Sequence, residues 1–153
     1  MTSNATASTT VAASPADVWH LISDPSRSVA WWPHAERAED VQGGRFTMVV
    51  RSSRGVPVRM DWRVAASRRE RLQRWEQDLA GTPFAAVLRS SAVEIRLEPD
   101  GDGCEITVIV ERELENRGFV ARRLGRRASR RHAGDALARL SRVATATASA
   151  AGR

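Results

Sequence analysis

Two hydrophobic periods organise this chain: a helical one near each end and a two-residue alternation between them. After the apolar Val11-Ala12-Ala13, Ser14 offers an N-cap hydroxyl, Pro15 suits the first helical position, and Asp17 lies at the positive end of the helix dipole. Val18, Leu21 and Ile22 then recur at i, i+3, i+4, with Trp19 beside them, until Asp24-Pro25 breaks the run. A second short helical turn leads to Trp31-Trp32-Pro33, so this stretch predicts a strand end followed by two short helices in a V. Gly43-Gly44 opens a meander in which Phe46, Met48 and Val50 share one face, as do Val58, Met60, Trp62 and Val64, opposite the charged stripe Arg59, Asp61 and Arg63. In the next strand Gln73, Trp75, Gln77 and Leu79 alternate with Arg74, Glu76 and Asp78, which places two amides around a tryptophan on the inner face. Gly81-Thr82-Pro83 interrupts the sheet, and Phe84 to Leu88 either bulges or turns helically before Val93, Ile95 and Leu97 resume the alternation. Asp100-Gly101-Asp102-Gly103 is a hairpin turn, after which Ile106, Val108 and Val110 point inward.

From Phe119 to about Val143 the richness in Ala, Arg and Leu, without proline, predicts one long helix. Val120, Leu124, Ala128 and His132 fall on one face of it, and Leu137, Leu140 and Ala144 on another, with Gly134 between them where a bend is permitted. The first face is thin in volume. That suits a helix bordering a cavity, the alternative being a shallow groove filled by large sheet residues.

Val11-Ala12-Ala13-Ser14-Pro15-Ala16-Asp17-Val18-Trp19, Asp24-Pro25, Trp31-Trp32-Pro33, Leu97-Glu98-Pro99 before a Gly/Asp turn, Cys104-Glu105-Ile106-Thr107-Val108 and the long final helix together resemble the START-like superfamily, also called SRPBCC. Its members include polyketide cyclase/dehydrase proteins and relatives of the birch-pollen allergen. The chain departs from many of them at Gly103-Cys104-Glu105-Ile106-Thr107, where they carry Gly-Thr-x-Val-Thr. The resemblance implies an α+β helix-grip fold, a curved seven-stranded antiparallel sheet with two short helices wrapped around a long C-terminal helix. It also implies an apolar cavity that binds a hydrophobic, polyketide-like or polycyclic small molecule for storage, transport or sequestration, as in antibiotic biosynthesis, self-resistance or lipid binding. A cofactor-free aromatase/cyclase or dehydratase, acting by orientation with few polar groups, is the alternative that the same cavity allows.

Length changes the picture little: 153 residues make one domain, 1–153, with flexible tails expected at 1–5 and 145–153. No apolar run reaches membrane-spanning length and the first ten residues lack the features of a secretion signal, so the cytoplasm is the expected location. The lone Cys104 has neither a disulfide partner nor metal spacing. The formal charge of +6 comes with 24 basic residues that are all arginine, a usage bias that weakens the argument for nucleic acid. One concentrated feature stands out: Arg122, Arg123, Arg126, Arg127, Arg130 and Arg131 on the final helix, with no acid between Arg117 and Gly134. It reads as a solvated face, or as a ridge for an anionic partner such as RNA, a phospholipid or an acidic carrier protein.

The candidate cavity residues are Trp32, Phe46, Met48, Met60, Trp62, Trp75, Gln77, Phe84 and Val108 from the sheet side, and Leu124, Ala128 and His132 from the helix. Trp32, beside Pro33, is the candidate gate. His34 is the candidate general acid/base, because an unperturbed imidazole titrates near neutrality. Gln73 and Arg112 complete the inward polar set. His20, His34 and His132 lack the spacing and carboxylates of a metal site, and no nucleophile elbow or phosphate-binding glycine loop appears, so neither metal nor cofactor is expected.

Overall fold

A computed structural model describes residues 3–115 and 118–151. Strand β1 (Ser3–Val11) is followed by helix α1 (Pro15–Ile22) and a 3₁₀ turn, Pro25–Ala30. Strands β2 (Ala35–Gln42), β3 (Arg45–Arg51), β4 (Pro57–Arg68), β5 (Leu72–Gln77), β6 (Leu88–Asp100) and β7 (Gly103–Leu114) then lead to helix α2 (Phe119–Ala151). All strands are antiparallel in the order β1-β7-β6-β5-β4-β3-β2. Six strands therefore form a simple meander, and α1 with the 3₁₀ turn carries the chain from one sheet edge to the other. This is the helix-grip architecture.

Local chemistry explains the crossing. Ser14 and Asp17 form a reciprocal capping box, with Asp17 N–H donating to Ser14 Oγ at 3.1 Å and Ser14 N–H to Asp17 Oδ2 at 3.3 Å. Asp24 caps the second turn by accepting from the Ser26 amide at 3.0 Å. At the start of β7 a close approach demands glycine, since a Cβ on Gly103 would stand 2.2 Å from the Val11 carbonyl oxygen.

The core lies between the sheet's inner face and α2. Phe46, Met48, Trp62, Trp75, Val93, Ile95, Ile106 and Val108 are buried there, while outward residues pair across strands, Arg74 with Glu111 at 2.6 Å and Arg63 with Glu76 at 3.3 Å. Helix α2 packs along β1, β7 and α1, using Ala133, Ala136, Leu137, Leu140 and Ala144.

Several sequence expectations are corrected. Of the expected tails, residues 3–5 belong to β1, where Asn4 and Ala5 pair with Glu111 and Val110, and residues 145–151 continue α2 well beyond Val143. Met1, Thr2, Gly152 and Arg153 lie outside the described residues. Helix α2 runs uninterrupted through Gly134. Pro83–Ala86 is a 3₁₀ turn, the helical option for that stretch.

Candidate functional site

Four tryptophans meet on the inner face. The turn after Ala30 is tight, with the amides of Trp31 and Trp32 donating to the Ser28 carbonyl at 3.1 and 2.7 Å, and it drives both rings inward. Trp31 is anchored to α1 through Nε1, which donates to the Leu21 carbonyl at 3.3 Å, and its ring stacks on Trp75 with centroids 5.5 Å apart. Trp32 is the hub: its ring lies 5.8 Å from Trp31, 5.9 Å from Trp75, 6.2 Å from Trp62 and 4.7 Å from the His132 imidazole. Phe46 meets Trp75 edge to face at 5.0 Å. Register places these groups side by side, because Phe46 opposes Trp62, Trp62 opposes Gln77, and Val64 opposes Trp75.

The polar atoms within this cluster are unusual. Trp62 Nε1, Trp75 Nε1, Gln73 Oε1, both amide atoms of Gln77, and Ser129 Oγ on α2 are buried with no hydrogen-bond partner among the described residues. Burying one ring stabilises the fold by roughly 4–6 kcal/mol as an upper bound. An orphaned donor or acceptor costs about 1–3 kcal/mol. Each buried ring therefore contributes more than one orphaned polar atom costs.

One further pair borders the cluster. Arg112, on the inner face of β7 beyond Val110, donates from Nη2 to His132 Nδ1 at 2.6 Å. Burial first, then the Arg112 charge, then nearby His34, push the His132 pKa down to about 4, so its imidazole is neutral at physiological pH. Burial also draws Arg112 below the ordinary arginine value.

Most expected site residues are brought together. Trp32, Phe46, Met48, Met60, Trp62, Trp75, Gln77 and Val108 belong to the buried inner face, and Phe84 is half-buried against it. His132 joins them through Trp32 and Arg112. Trp32 itself is 1% exposed, so it is part of the wall, and a gate at a mouth open to solvent is ruled out for its resting position. His34 is exposed, with a left-handed backbone (φ 61°) where the chain enters β2, and its charge reaches His132 without a hydrogen bond between them. Leu124 and Ala128 need correction. Leu124 is 60% exposed and Ala128 is exposed too, because the face of α2 turned to the sheet is the neighbouring one: Gly125, Ser129, Ala133, Ala136 and Leu140. The apolar face of Val120, Leu124 and Ala128 lies one step round the helix from the small-residue stripe that packs. Ser129 was missed for the same reason, and the spacing of small residues at four among the arginines was the signal for it.

Other places offer less chemistry. A groove of about 390 Å³ opens on the outer sheet face, lined by Arg63, Arg74, Glu76, Arg89 and Glu111, whose charges already pair. Cys104 is buried in β7, where burial pushes its thiol pKa up. Among the described residues, no three His, Cys, Asp or Glu side chains gather as a metal site would need. Among them, too, no helix is long and apolar enough to cross a membrane.

Comparison with known proteins places this geometry. A family model described as polyketide cyclase/dehydrase and lipid transport matches residues 2–145. Among solved structures, the chain is similar to the Zhui aromatase/cyclase from Streptomyces sp. R1128, with 16% identity, 94% of each chain covered and a TM-score of 0.76. It is also similar to Ara h 8.0201, with 16% identity, 94% of this chain and 98% of that one, and a TM-score of 0.71. A START superfamily protein from Mycobacterium smegmatis matches at 14% identity, 95% and 97% coverage and a TM-score of 0.67. At such identities the likeness speaks for the fold. No curated protein matches the chain.

Proposed function

The chain belongs to the polyketide cyclase/dehydrase and lipid transport family, and from that premise we propose that it holds a flat, hydrophobic, polyketide-like or polycyclic metabolite against the tryptophan-lined inner face of its sheet. The observation that carries this reading is the set of buried, unpartnered polar atoms among the rings: Trp62 Nε1, Trp75 Nε1, Gln73 Oε1 and the Gln77 amide. Aromatic faces stack a flat ligand, and sparse donors and acceptors fix its carbonyl and hydroxyl groups. Holding without turnover comes first, as storage, transport or sequestration, the last suiting self-resistance in a producer of such compounds.

Turnover is the second reading. What favours it is the neutral His132 beside Arg112, an acid–base and carbonyl-polarising pair at the cluster's edge, together with the fold shared with the Zhui aromatase/cyclase. A cyclase would receive its chain from an acidic carrier protein, for which the α2 arginines supply charge complementarity.

Native mass spectrometry of protein purified from its own host tests the first reading, with a retained small molecule as the expected result. Titration with polyaromatic compounds should quench or shift tryptophan emission in a saturable way. No saturable response to any of them, and no retained molecule, overturns the reading. Product formation from a linear poly-β-ketone, lost in His132→Ala and reduced in His34→Ala and Gln77→Ala, would replace holding by turnover.

A further inference from the structure

Strand β7 treats two adjacent residues in opposite ways. Glu111 faces outward and pairs with Arg74 at 2.6 Å, whereas Arg112 faces inward, where among the described residues its one polar partner is the neutral His132. A guanidinium carries five N–H donors in a planar fork, and one imidazole nitrogen satisfies only one of them. An uncompensated cation at a largely buried position costs several kcal/mol. A replacement by an apolar residue would remove that cost, so the charge calls for a ligand that uses it.

The surroundings narrow the ligand's chemistry. Because His132 Nδ1 accepts from Arg112, the imidazole proton sits on Nε2, which makes the ring a second donor. Trp32, 4.7 Å from that imidazole, connects the pair to the unpartnered indole N–H groups of Trp62 and Trp75. The corner is thus rich in donors, and one of them is charged. We infer that Arg112 and His132 form a subsite for a delocalised oxyanion, so that the metabolite held on the tryptophans is an acid, carrying a carboxylate or the equivalent anion of an enolised diketone or acidic phenol at one end of a flat apolar body. Two oxygens sharing one negative charge match the guanidinium fork, whereas an ester or amide carbonyl offers a single neutral acceptor. This rests on the proposed function and deepens it by naming the ligand's charge and the residues that read it.

The test compares 2-naphthoate with methyl 2-naphthoate by isothermal titration calorimetry at neutral pH, on the full chain. The expected result is that wild type binds the carboxylate about tenfold or more tighter than the ester, in keeping with a hydrogen bond to a charged group. Arg112→Met should remove that preference while ester binding survives, and His132→Ala, which takes away the second donor, should reduce it by less than the Arg112 variants do. Arg112→Gln serves as the second charge-free variant if Arg112→Met fails to give a cooperative thermal melt. If the ester binds wild type as well as the carboxylate does, the oxyanion subsite is wrong and the holding function stands. A carboxylate preference that survives both Arg112 variants overturns the assignment to this residue. If neither compound binds wild type while other polyaromatic compounds do, the oxyanion subsite is wrong and the holding function stands; the holding function falls only when that wider titration and the search for a retained molecule fail as well.

Discussion

The two halves of α2 belong to one helix and behave as different objects. Beyond His132, Ala133, Ala136, Leu137, Leu140 and Ala144 are buried, and their small size lets the helix axis come close to β1, β7 and α1. Before His132, Phe119, Val120 and Leu124 are 72, 68 and 60% exposed, and close approach is left to Gly125, whose missing Cβ would stand 2.7 Å from Leu114 Cδ1. The difference teaches that one helix can pack in two ways: the C-terminal half grips the sheet along a broad face, and the N-terminal half meets it only along the narrow stripe of Gly125 and Ser129. The sharpest break of this comparison is a matched pair of truncations. Leu140→Ala should lower unfolding free energy by about 2–5 kcal/mol, as fully buried leucines do. Leu124→Ala should change it by about 0.5 kcal/mol or less. Urea denaturation measures both, and similar losses at the two sites would refute the division.

His132 sits at the joint between the halves, and its titration gives the next largest effect. The folded imidazole protonates near pH 4, held down by burial, by Arg112 from β7 and by His34 after the 3₁₀ turn, against an ordinary value of 6.5. In the window between these values the unfolded chain binds the extra proton. Stability from this group is therefore complete above about pH 6.5 and falls as the pH drops toward 4, by up to about 3 kcal/mol. His132→Gln should flatten the stability profile in that window relative to wild type. Parallel profiles for the two proteins would mean that His132 is not held neutral by its surroundings.

How far the sequence revealed this arrangement depends on how much side-chain volume marks a face. The capping box at Ser14 and Asp17, the alternation through Phe46, Met60, Trp62, Gln73 and Trp75, and the turn at Asp100-Gly101-Asp102-Gly103 are strong local signals, and each survives in the fold. Strand β2 was harder to read. Its residues Ala35–Gln42 are half-buried or exposed at a sheet edge, so no alternation announces it. The inward face of α2 is faint for a related reason: close packing favours glycine, serine and alanine there, and Ser129 carries no apolar signal to set it apart from Ala128 beside it. Arg112 could be placed on the inner face by period two. Its missing carboxylate could not be foreseen, because Glu94 and Glu111 engage Arg74 through pairings distant in sequence.

The smallest effect concerns the arginines, and it sharpens the contrast between the helix halves into one between two surfaces. On the outer sheet face Arg59, Arg63, Arg74 and Arg89 each pair with glutamates, whereas Arg122, Arg126 and Arg130 are exposed on α2 with no ion pair among the described residues. Solvated charges of this kind contribute little to folding, so Arg122→Gln, Arg126→Gln and Arg130→Gln combined should shift stability by no more than about 0.5 kcal/mol. All three are solvent-exposed, so affinity for 2-naphthoate should stay within roughly twofold of wild type, the near-additivity expected of separate sites. Retention on heparin is the readout that should move, with elution at lower salt and a shallower dependence of affinity on ionic strength, since three phosphate- or sulfate-facing charges are gone. A triple variant that loses the small ligand but keeps its heparin behaviour would reverse the roles of the two surfaces and place the reader of the ligand's charge on the helix, not on β7.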